Sequence, residues 1–252
     1  RSVIDKLREL PSVLDFGSSV GTGSSEIDTD AFQKAAASSA SRMYMPPVAG
    51  GYKIEAGVEI GSNAKSQHWF GAGSSADGGT LIHCLGPVIH VTVKGVGSLF
   101  ERCTLDGRGG TADNLGHVGV MLGAGTSASP VSGEKCAIRD VRARYFRQAG
   151  VVVNGHQNAS LMDVMSQFNL YNFVFTNGAR NCTLINCNAT DWLNEVDALV
   201  TNYMKSMDPA GRNIFIGLTT LGGLISNSTP NWASSAGYAG RAPSNISIIK
   251  GI

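Results

Sequence analysis

Apolar residues in the middle of the chain recur at a fixed interval. Three triplets with one internal spacing follow each other at steps of 23 positions: Ile138, Val141 and Ala143; Leu161, Val164 and Ser166; and Leu184, Cys187 and Ala189. A fixed period of this size is the signature of a repeat, and one copy is too small to bury its own apolar face. We therefore expect the copies to stack on one another.

A second apolar pattern, with a period of two, follows each triplet. It consists of Val151 and Val153, then Phe173 and Phe175, then Val196 and Ala198. Such alternation predicts short β-strands, and the Asn and Gly residues between them suit turns. Two or three short strands in each repeat predict an all-β fold, a right-handed parallel β-helix (solenoid).

The spacing of the triplets extends in both directions. Upstream, the matching residues lie 38 positions before the first triplet, with a Gly-rich loop taking up the difference: Phe100, Cys103 and Leu105. Downstream, Ile216 and Thr219 are expected to align with Leu184 and Cys187, and Ile248 follows. A solenoid needs a polar cap on its last turn, whereas this chain ends on an apolar strand. We therefore expect residues 61–252 to be β-helix turns truncated at the C-terminal end.

Residues 1–60 follow another pattern. Residues 1–11 predict a short amphipathic helix, because Val3, Ile4, Leu7 and Leu10 form one apolar stripe before Pro11. Residues 12–60 are interpreted as the opening segment of the β-helix, with a strand at Ser12 to Gly17. Asp28-Thr29-Asp30 then opens an Ala-rich short helix, and two strands flank a tight turn at Gly50-Gly51.

These motifs resemble the start of pectate-lyase-like bacteriophage tailspikes and capsule depolymerases. The resemblance rests on Val13-Leu14-Asp15-Phe16-Gly17, Asp28-Thr29-Asp30, Tyr44-Met45-Pro46 and Gly51-Tyr52-Lys53-Ile54. The helix of residues 1–11 resembles the neck helix that joins a virion-binding domain to the β-helix in such proteins, through its segment Ile4 to Leu10. The resemblance implies a homotrimer on the virion tail, assembled in the host cytoplasm, that binds a bacterial surface polysaccharide and often cleaves it. It also implies attachment to a phage tail or baseplate protein through an N-terminal region that this sequence lacks. A longer Ser/Gly loop replaces the short turn that the family has after Gly17.

Composition and charge narrow the classes of function. Charged residues make up 15% of the chain and the net charge is +1, which gives no general attraction to nucleic acid or to an anionic membrane. No apolar run reaches the length of about 18 residues that a membrane span requires, so we expect no membrane insertion. The five cysteines lack the paired spacing of a disulfide framework, and we expect Cys103 and Cys187 to be small buried residues in a reducing compartment.

The densest acidic and aromatic group contains the candidate catalytic residues Asp191, Glu195 and Asp197, with Trp192 as a surface for a sugar ring. Glu195 and Asp197 are expected on the outer face of one strand, with backbones roughly 6.6 to 7 Å apart. Carboxyl groups about 6.5–9.5 Å apart suit inverting glycoside hydrolysis, in which one protonates the leaving oxygen and the other activates water. An ordinary solvated strand is the alternative.

Four arginines lie close together in the chain, and Tyr145 lies among them: Arg139, Arg142, Arg144 and Arg147. Arg142, Arg144, Tyr145 and Arg147 are candidate substrate-binding residues, since guanidinium groups bind carboxylates well. Pairing with Asp140, Asp163 and a neighbouring subunit is the alternative. For a uronate substrate the same group would also suit a lyase acting by β-elimination.

Three further points complete the sequence-based prediction. Asp140, Asp163 and Asn186 share one position of the repeat, either as turn residues or as a carboxylate dyad. No His, Cys or acidic spacing indicates a metal site, and no cofactor is expected. The predicted function is a tailspike glycosidase, and the alternatives are a polysaccharide lyase and a non-catalytic receptor-binding segment.

Overall fold

The structure, a computed structural model, describes residues 10–17, 25–62, 64–74, 78–107, 116–123, 135–156, 158–169, 171–176, 179, 182–192, 214–216, 219–221, 225–226 and 247–249. A 3₁₀ helix (Val13–Phe16) and one α-helix, α1 (Ser25–Ala37), come first in this part of the chain. The strands that follow are β1 (Arg42–Met45), β2 (Tyr52–Ile54), β3 (Val58–Ile60), β4 (His68–Gly71), β5 (Thr80–Cys84), β6 (Ile89–Val93), β7 (Leu99–Asp106), β8 (Val118–Leu122), β9 (Ala137–Arg144), β10 (Ala149–Asn154), β11 (Ser160–Met162), β12 (Met165–Asn169), β13 (Tyr171–Thr176), β14 (Thr183–Ile185), β15 (Asn188–Trp192), β16 (Ile214–Ile216), β17 (Thr219–Leu221), β18 (Ile225–Ser226) and β19 (Ser247–Ile249).

The strands form two parallel sheets. The larger sheet has 13 strands, and its main path runs β1-β4-β7-β9-β11-β14-β16-β19. A second row of strands, β2, β5, β12, β15 and β17, joins this sheet through β7 and β9. The smaller sheet has six strands in the order β18-β13-β10-β8-β6-β3. Apolar residues of both sheets meet in one core, which contains Trp69 and Phe100 from the larger sheet and Val120 and Val151 from the smaller.

This architecture corrects the predicted fold class. Instead of a right-handed parallel β-helix with a neck helix and one further short helix, the described residues form two parallel sheets with a single α-helix. The period of the triplets determines which residues are in register, but it does not determine how strands are divided among sheets. β7 and β9 each continue through a bend, at Arg102 and Asp140, where φ is 62° and 49°. They thereby join two rows of strands into one sheet.

The predicted alignment of the triplets is confirmed. In the larger sheet Phe100 is opposite Ile138, Ile138 opposite Leu161, and Leu161 opposite Leu184. In the smaller sheet Val151 is opposite Phe173. The inward members of the triplets are buried, because side chains of a strand alternate between its two faces and these positions face the core.

The alignment predicted further downstream is wrong by one position. Leu184 is opposite Phe215, not Ile216, and Thr219 is opposite Asn188, not Cys187. A shift of one position exchanges the inward and outward faces of a strand. The long segment between the two strands hides such a shift, because its length is not a fixed multiple of the period.

The N-terminal part of the described chain differs from the prediction at two elements. Helix α1 begins at Ser25, three positions before the predicted start at Asp28. The strand expected at Ser12 to Gly17 is the 3₁₀ helix, whose N-cap is Ser12: its Oγ accepts from the Leu14 N–H at 3.0 Å. The two strands around Gly50-Gly51 are present as β1 and β2, and both glycines have positive φ. Of the predicted neck helix only Leu10 and Pro11 are described.

Helix α1 packs on the first strands of both sheets. Phe32 is buried against Tyr52 and Trp69, with ring centroids 5.2 and 5.8 Å apart. Asp28 and Thr29, both buried, accept hydrogen bonds from backbone N–H groups of Lys53 and Glu55, beside β2. The helix therefore supplies both apolar cover and hydrogen-bond acceptors where the sheets begin.

All five cysteines are free and buried, as expected for Cys103 and Cys187: Cys84, Cys103, Cys136, Cys182 and Cys187. Burial raises the pKa of the Cys187 thiol to about 12, so this group stays protonated at neutral pH. These cysteines contribute to the core as small apolar side chains.

Candidate functional site

Strand β9 presents three arginines on the outer face of the larger sheet. Its inward residues, Ile138, Val141 and Ala143, are buried, so Arg139, Arg142 and Arg144 point away from the core. Their neighbours come from strands that are adjacent in space but far apart along the chain. This outer face therefore contains Arg142 and Arg144, two of the predicted binding residues.

Arg139 is paired with an acid that the sequence analysis did not identify. Its Nε donates to Glu101 Oε2 at 2.7 Å, and His68 Nε2 lies 2.8 Å from Glu101 Oε1. Burial opposes ionisation of Glu101, but hydrogen bonds from Arg139 and His68 outweigh it, so the pKa of Glu101 is lowered. Glu101 is thus a charged acceptor held between two basic side chains.

Arg144 belongs to a second row of polar residues. The register aligns Lys53, His83, Asp106, Arg144 and Gln167 across five neighbouring strands. Arg144 Nε donates to Asp106 Oδ2 at 2.8 Å, and the Asp106 side chain is 4% exposed. Asp106 is therefore the ion-pair partner of Arg144.

His83 lies beside this ion pair. Burial lowers the pKa of His83, and the positive charges of Lys53 and Arg144 add to the effect, while Asp106 and the Gly50 backbone oppose it. Its Nδ1 is buried and has no hydrogen-bond partner. The imidazole is therefore neutral at pH 7.

Arg142 occupies the position between the two paired arginines. Its Nη2 donates to Gln167 Oε1 at 3.2 Å, while its Nε is buried and has no hydrogen-bond partner. In its own row Arg142 lies between Thr104 and Met165, and Asn188 follows Met165. The Oδ1 atom of Asn188 is likewise buried without a partner.

Two aromatic rings stack at the edge of the arginine group. Tyr145 and Phe168 lie parallel, with centroids 4.9 Å apart and planes at 4°. Both residues have positive φ, 62° and 56°, so their side chains do not follow the alternation of inward and outward positions along a strand. The Arg144 guanidinium carbon lies 5.6 Å from the centre of the Tyr145 ring. The strands thus expose an aromatic pair beside two charged rows.

The remaining predicted residues are only partly described. Asp191 and Trp192 lie in β15, and the register puts Asp191 opposite Phe168, since the flanking pairs are Gln167 with Thr190 and Asn169 with Trp192. Arg147 is exposed. The candidate catalytic pair, Glu195 and Asp197, lies outside the described residues.

Asp140, Asp163 and Asn186 are turn residues, one of the two alternatives that the sequence left open. All three have φ near 50° and lie where one strand segment turns into the next. Asp140 accepts a hydrogen bond from Ser74 Oγ, and Asn186 Nδ2 donates to Asp163 Oδ1 at 3.2 Å. These contacts hold the turns together.

The acids missed by the sequence analysis had a signal in the sequence. Glu101 and Asp106 each precede their arginine partner by 38 positions. That is the spacing between Phe100 and Ile138, the apolar positions of the same strands. Applying the apolar alignment to outward positions would have paired both acids with their arginines.

Two features are absent from the part of the chain that the structure describes. No group of three or more His, Cys, Asp or Glu residues is arranged to hold a metal ion there. No helix in that part of the chain is both long and apolar enough to cross a membrane.

Comparison with known proteins gives a similarity in fold. No family model and no curated protein matches the chain. Among solved structures it is similar to ORF18 of Geobacillus virus E2, with a TM-score of 0.56 and 18% identity over 85% of this chain and 43% of that chain. A second structure, the Agl-KA catalytic domain, has a TM-score of 0.38 and 12% identity, with coverage of 100% and 54%. This chain therefore spans about half the length of these proteins or less, and it shares its fold with a bacteriophage protein.

Proposed function

We propose that this chain is part of a bacteriophage tailspike that binds a bacterial surface polysaccharide and cleaves it by glycoside hydrolysis. The fold that it shares with a phage protein supports the viral origin. The motifs of residues 1–60, which resemble tailspikes and capsule depolymerases, support the narrower class. A homotrimer on the virion tail, attached through a tail or baseplate protein, belongs to the same proposal.

The observation that carries the binding function is the combination of aromatic and charged side chains on one outer face. Tyr145 and Phe168 stack with centroids 4.9 Å apart, and the Arg144 guanidinium carbon lies 5.6 Å from the centre of the Tyr145 ring. Sugar rings have apolar faces that pack on aromatic rings, and their hydroxyl and carboxylate groups need donors and acceptors nearby. This face provides both within a few strands of a parallel sheet.

The hydrolytic step is assigned to the acidic group that begins at Asp191. Asp191 is opposite Phe168 in the register, about 4.8 Å away along the sheet. A ligand on the aromatic pair would therefore lie next to the backbone of Asp191. In this proposal one carboxylic acid protonates the leaving oxygen, and another, as carboxylate, activates the attacking water.

The test is to incubate the protein with capsule and lipopolysaccharide preparations from a panel of bacteria. We expect one preparation to be retained by the protein and to gain reducing ends without unsaturated uronate products. Asp191→Asn, Glu195→Gln and Asp197→Asn should retain the polysaccharide and lose cleavage. Asp30→Asn is the matched control, because Asp30 is an exposed carboxylate on α1 whose ion-pair partner is Lys34.

Other outcomes separate the alternatives. Unsaturated products would replace the hydrolase with a lyase that uses Tyr145 and the arginines. Retention without any cleavage would leave a receptor-binding protein. If the protein retained none of the preparations, the proposed function would be wrong. Sedimentation analysis of the same sample tests the trimer, which a monomeric species would exclude.

A further inference from the structure

The three outward arginines of β9 differ in their partners. Arg139 is paired with Glu101 and Arg144 with Asp106. Arg142 lies between them on the same strand face, and its hydrogen-bond partner is the uncharged amide oxygen of Gln167. Among the described residues Arg142 has no carboxylate partner.

The hydrogen bonding of Arg142 is also incomplete. Its Nε–H is buried and has no acceptor. Buried polar groups in proteins are nearly always hydrogen-bonded, and a guanidinium group keeps its charge at all ordinary pH values. Arg142 as a whole is only half-buried, so a carboxylate from outside the chain that moves in beside its guanidinium group would supply the missing acceptor. The side of the guanidinium that bears Nε is one of those that bind carboxylates through two hydrogen bonds.

A second unpaired atom lies in the same row of the sheet. Asn188 Oδ1 is buried without a hydrogen-bond donor, and only Met165 separates Asn188 from Arg142 in the register. The row thus offers an unused donor on a cation and an unused acceptor on an amide. A ligand with both a carboxylate and hydroxyl groups satisfies the two, whereas a neutral glycan leaves the arginine without an anion.

We infer that Arg142 binds the carboxylate of an acidic sugar, and that Asn188 accepts a hydrogen bond from a hydroxyl group of the same glycan. This inference rests on the proposed function and narrows its substrate to acidic polysaccharides. Arg144 does not serve this purpose, because its Nε already donates to Asp106. Tyr145 and Phe168, which lie three positions further along the chain than Arg142 and Met165, provide the apolar surface for a ring.

The direct test is a titration of the full ¹⁵N-labelled chain with glucuronate, followed through the Nε–H signals of its arginines. Glucose is the matched neutral probe. We expect the Arg142 signal, assigned by its loss in Arg142→Gln, to shift with glucuronate and not with glucose. An unchanged Arg142 signal in glucuronate overturns the inference.

A second measurement uses the polysaccharide that the panel identifies. Arg142→Gln should weaken its retention about tenfold or more, and chemical reduction of its carboxyl groups should have the same effect on the unaltered protein. Arg102→Gln is the matched control, because Arg102 is an exposed arginine of the neighbouring strand β7 that donates to the Ala72 carbonyl. A thermal midpoint of Arg142→Gln close to that of the unaltered protein shows that the loss is not unfolding.

The two proposals fail in different ways. Normal retention by Arg142→Gln, or of a carboxyl-reduced polysaccharide, overturns the inference and leaves polysaccharide binding intact. A glucuronate-dependent shift at Arg142 in a protein that retains no bacterial polysaccharide supports the carboxylate site and refutes the tailspike function.

Discussion

Arg144 and Asp106 form an ion pair across neighbouring strands, with Nε donating to Oδ2 at 2.8 Å and with 18% and 4% of the side chains exposed. Removing one member leaves the other charge buried without its partner. We expect Arg144→Met to lower the free energy of unfolding by about 3 kcal/mol. Urea denaturation of the variant and of the unaltered protein measures this difference in the free energy of unfolding.

A matched pair provides the control for that prediction. Lys34 and Asp30 form an ion pair of 2.6 Å on α1, with 60% of each side chain exposed. Asp30→Ala should cost about 0.5 kcal/mol or less, because water screens exposed pairs. If Arg144→Met cost no more than Asp30→Ala, the pair across β7 and β9 would contribute nothing to stability.

The turn residues predict a difference between two substitutions at one position. Asp163 has a φ of 54°, in the left-handed region that β-branched residues avoid. Asp163→Val should destabilise the fold by about 1–2 kcal/mol, whereas Asp163→Gly should change it by only about 0.5 kcal/mol. Equal effects of the two substitutions on the urea midpoint would contradict a requirement for this backbone conformation.

Histidine protonation predicts loss of stability in mild acid. His90 is buried, and burial lowers its pKa even though the carbonyl groups of Leu85 and Val118 oppose the shift. The unfolded chain, with a histidine pKa of about 6.5, then binds a proton that the folded state does not. The free energy of unfolding therefore falls as the pH drops below about 6.5, by up to about 1.4 kcal/mol per pH unit for each such histidine.

The variant His90→Gln tests the source of this effect. Its free energy of unfolding should fall less between pH 7.5 and 5.5 than that of the unaltered protein. His83 and His117, whose pKa values burial also lowers, leave a residual pH dependence in the variant. The lowered pKa of Glu101 acts at lower pH, since its contribution is lost as its carboxylate is protonated below the usual glutamate range. An identical pH dependence in His90→Gln would exclude His90 as a contributor.

The aromatic pair predicts an effect on polysaccharide retention. Phe168→Ala removes the ring that stacks on Tyr145, and we expect retention of the polysaccharide to weaken by about threefold to tenfold. Phe70→Ala is the control, since Phe70 stacks on Tyr44 in the first strands of the same sheet, with centroids 5.2 Å apart. If Phe70→Ala weakened retention more than Phe168→Ala, the binding face would lie at β1 and β4 and not at the arginine group.

The strand register was predictable where apolar residues repeat without interruption. Ile138, Leu161 and Leu184 are equivalent because each occupies the same inward position on its own strand. The structure aligns them as the spacing predicts. Beyond β15 a long segment interrupts the repeat, so a choice between Phe215 and Ile216 could not be made from apolarity alone. The number of sheets was not predictable either, because it depends on whether the backbone breaks or continues at each bend.

The candidate site was predictable as a set of residue types but not as a set of partners. Alternation along β9 puts Arg142 and Arg144 on one outer face, whereas Arg139 joins them only because of the bend at Asp140, which alternation does not predict. Their different roles arise from acids on β7, and Arg142 differs from the others because the residue opposite it there is Thr104. A side chain's partner across a parallel sheet is remote in the sequence, so local patterns reveal the face of a strand and not the charge that it meets.

The pairing of β7 with β9 does not depend on the length of the chain between them. Phe100 and Ile138 are in register although the chain that joins them is longer than the chain that joins Ile138 to Leu161, the next pair in the sheet. Extra chain can therefore be accommodated between two paired strands without moving either. The chain between β7 and β9, apart from the buried strand β8, is a natural graft site, where a peptide tag or a foreign recognition loop could be inserted while the arginine face keeps its geometry.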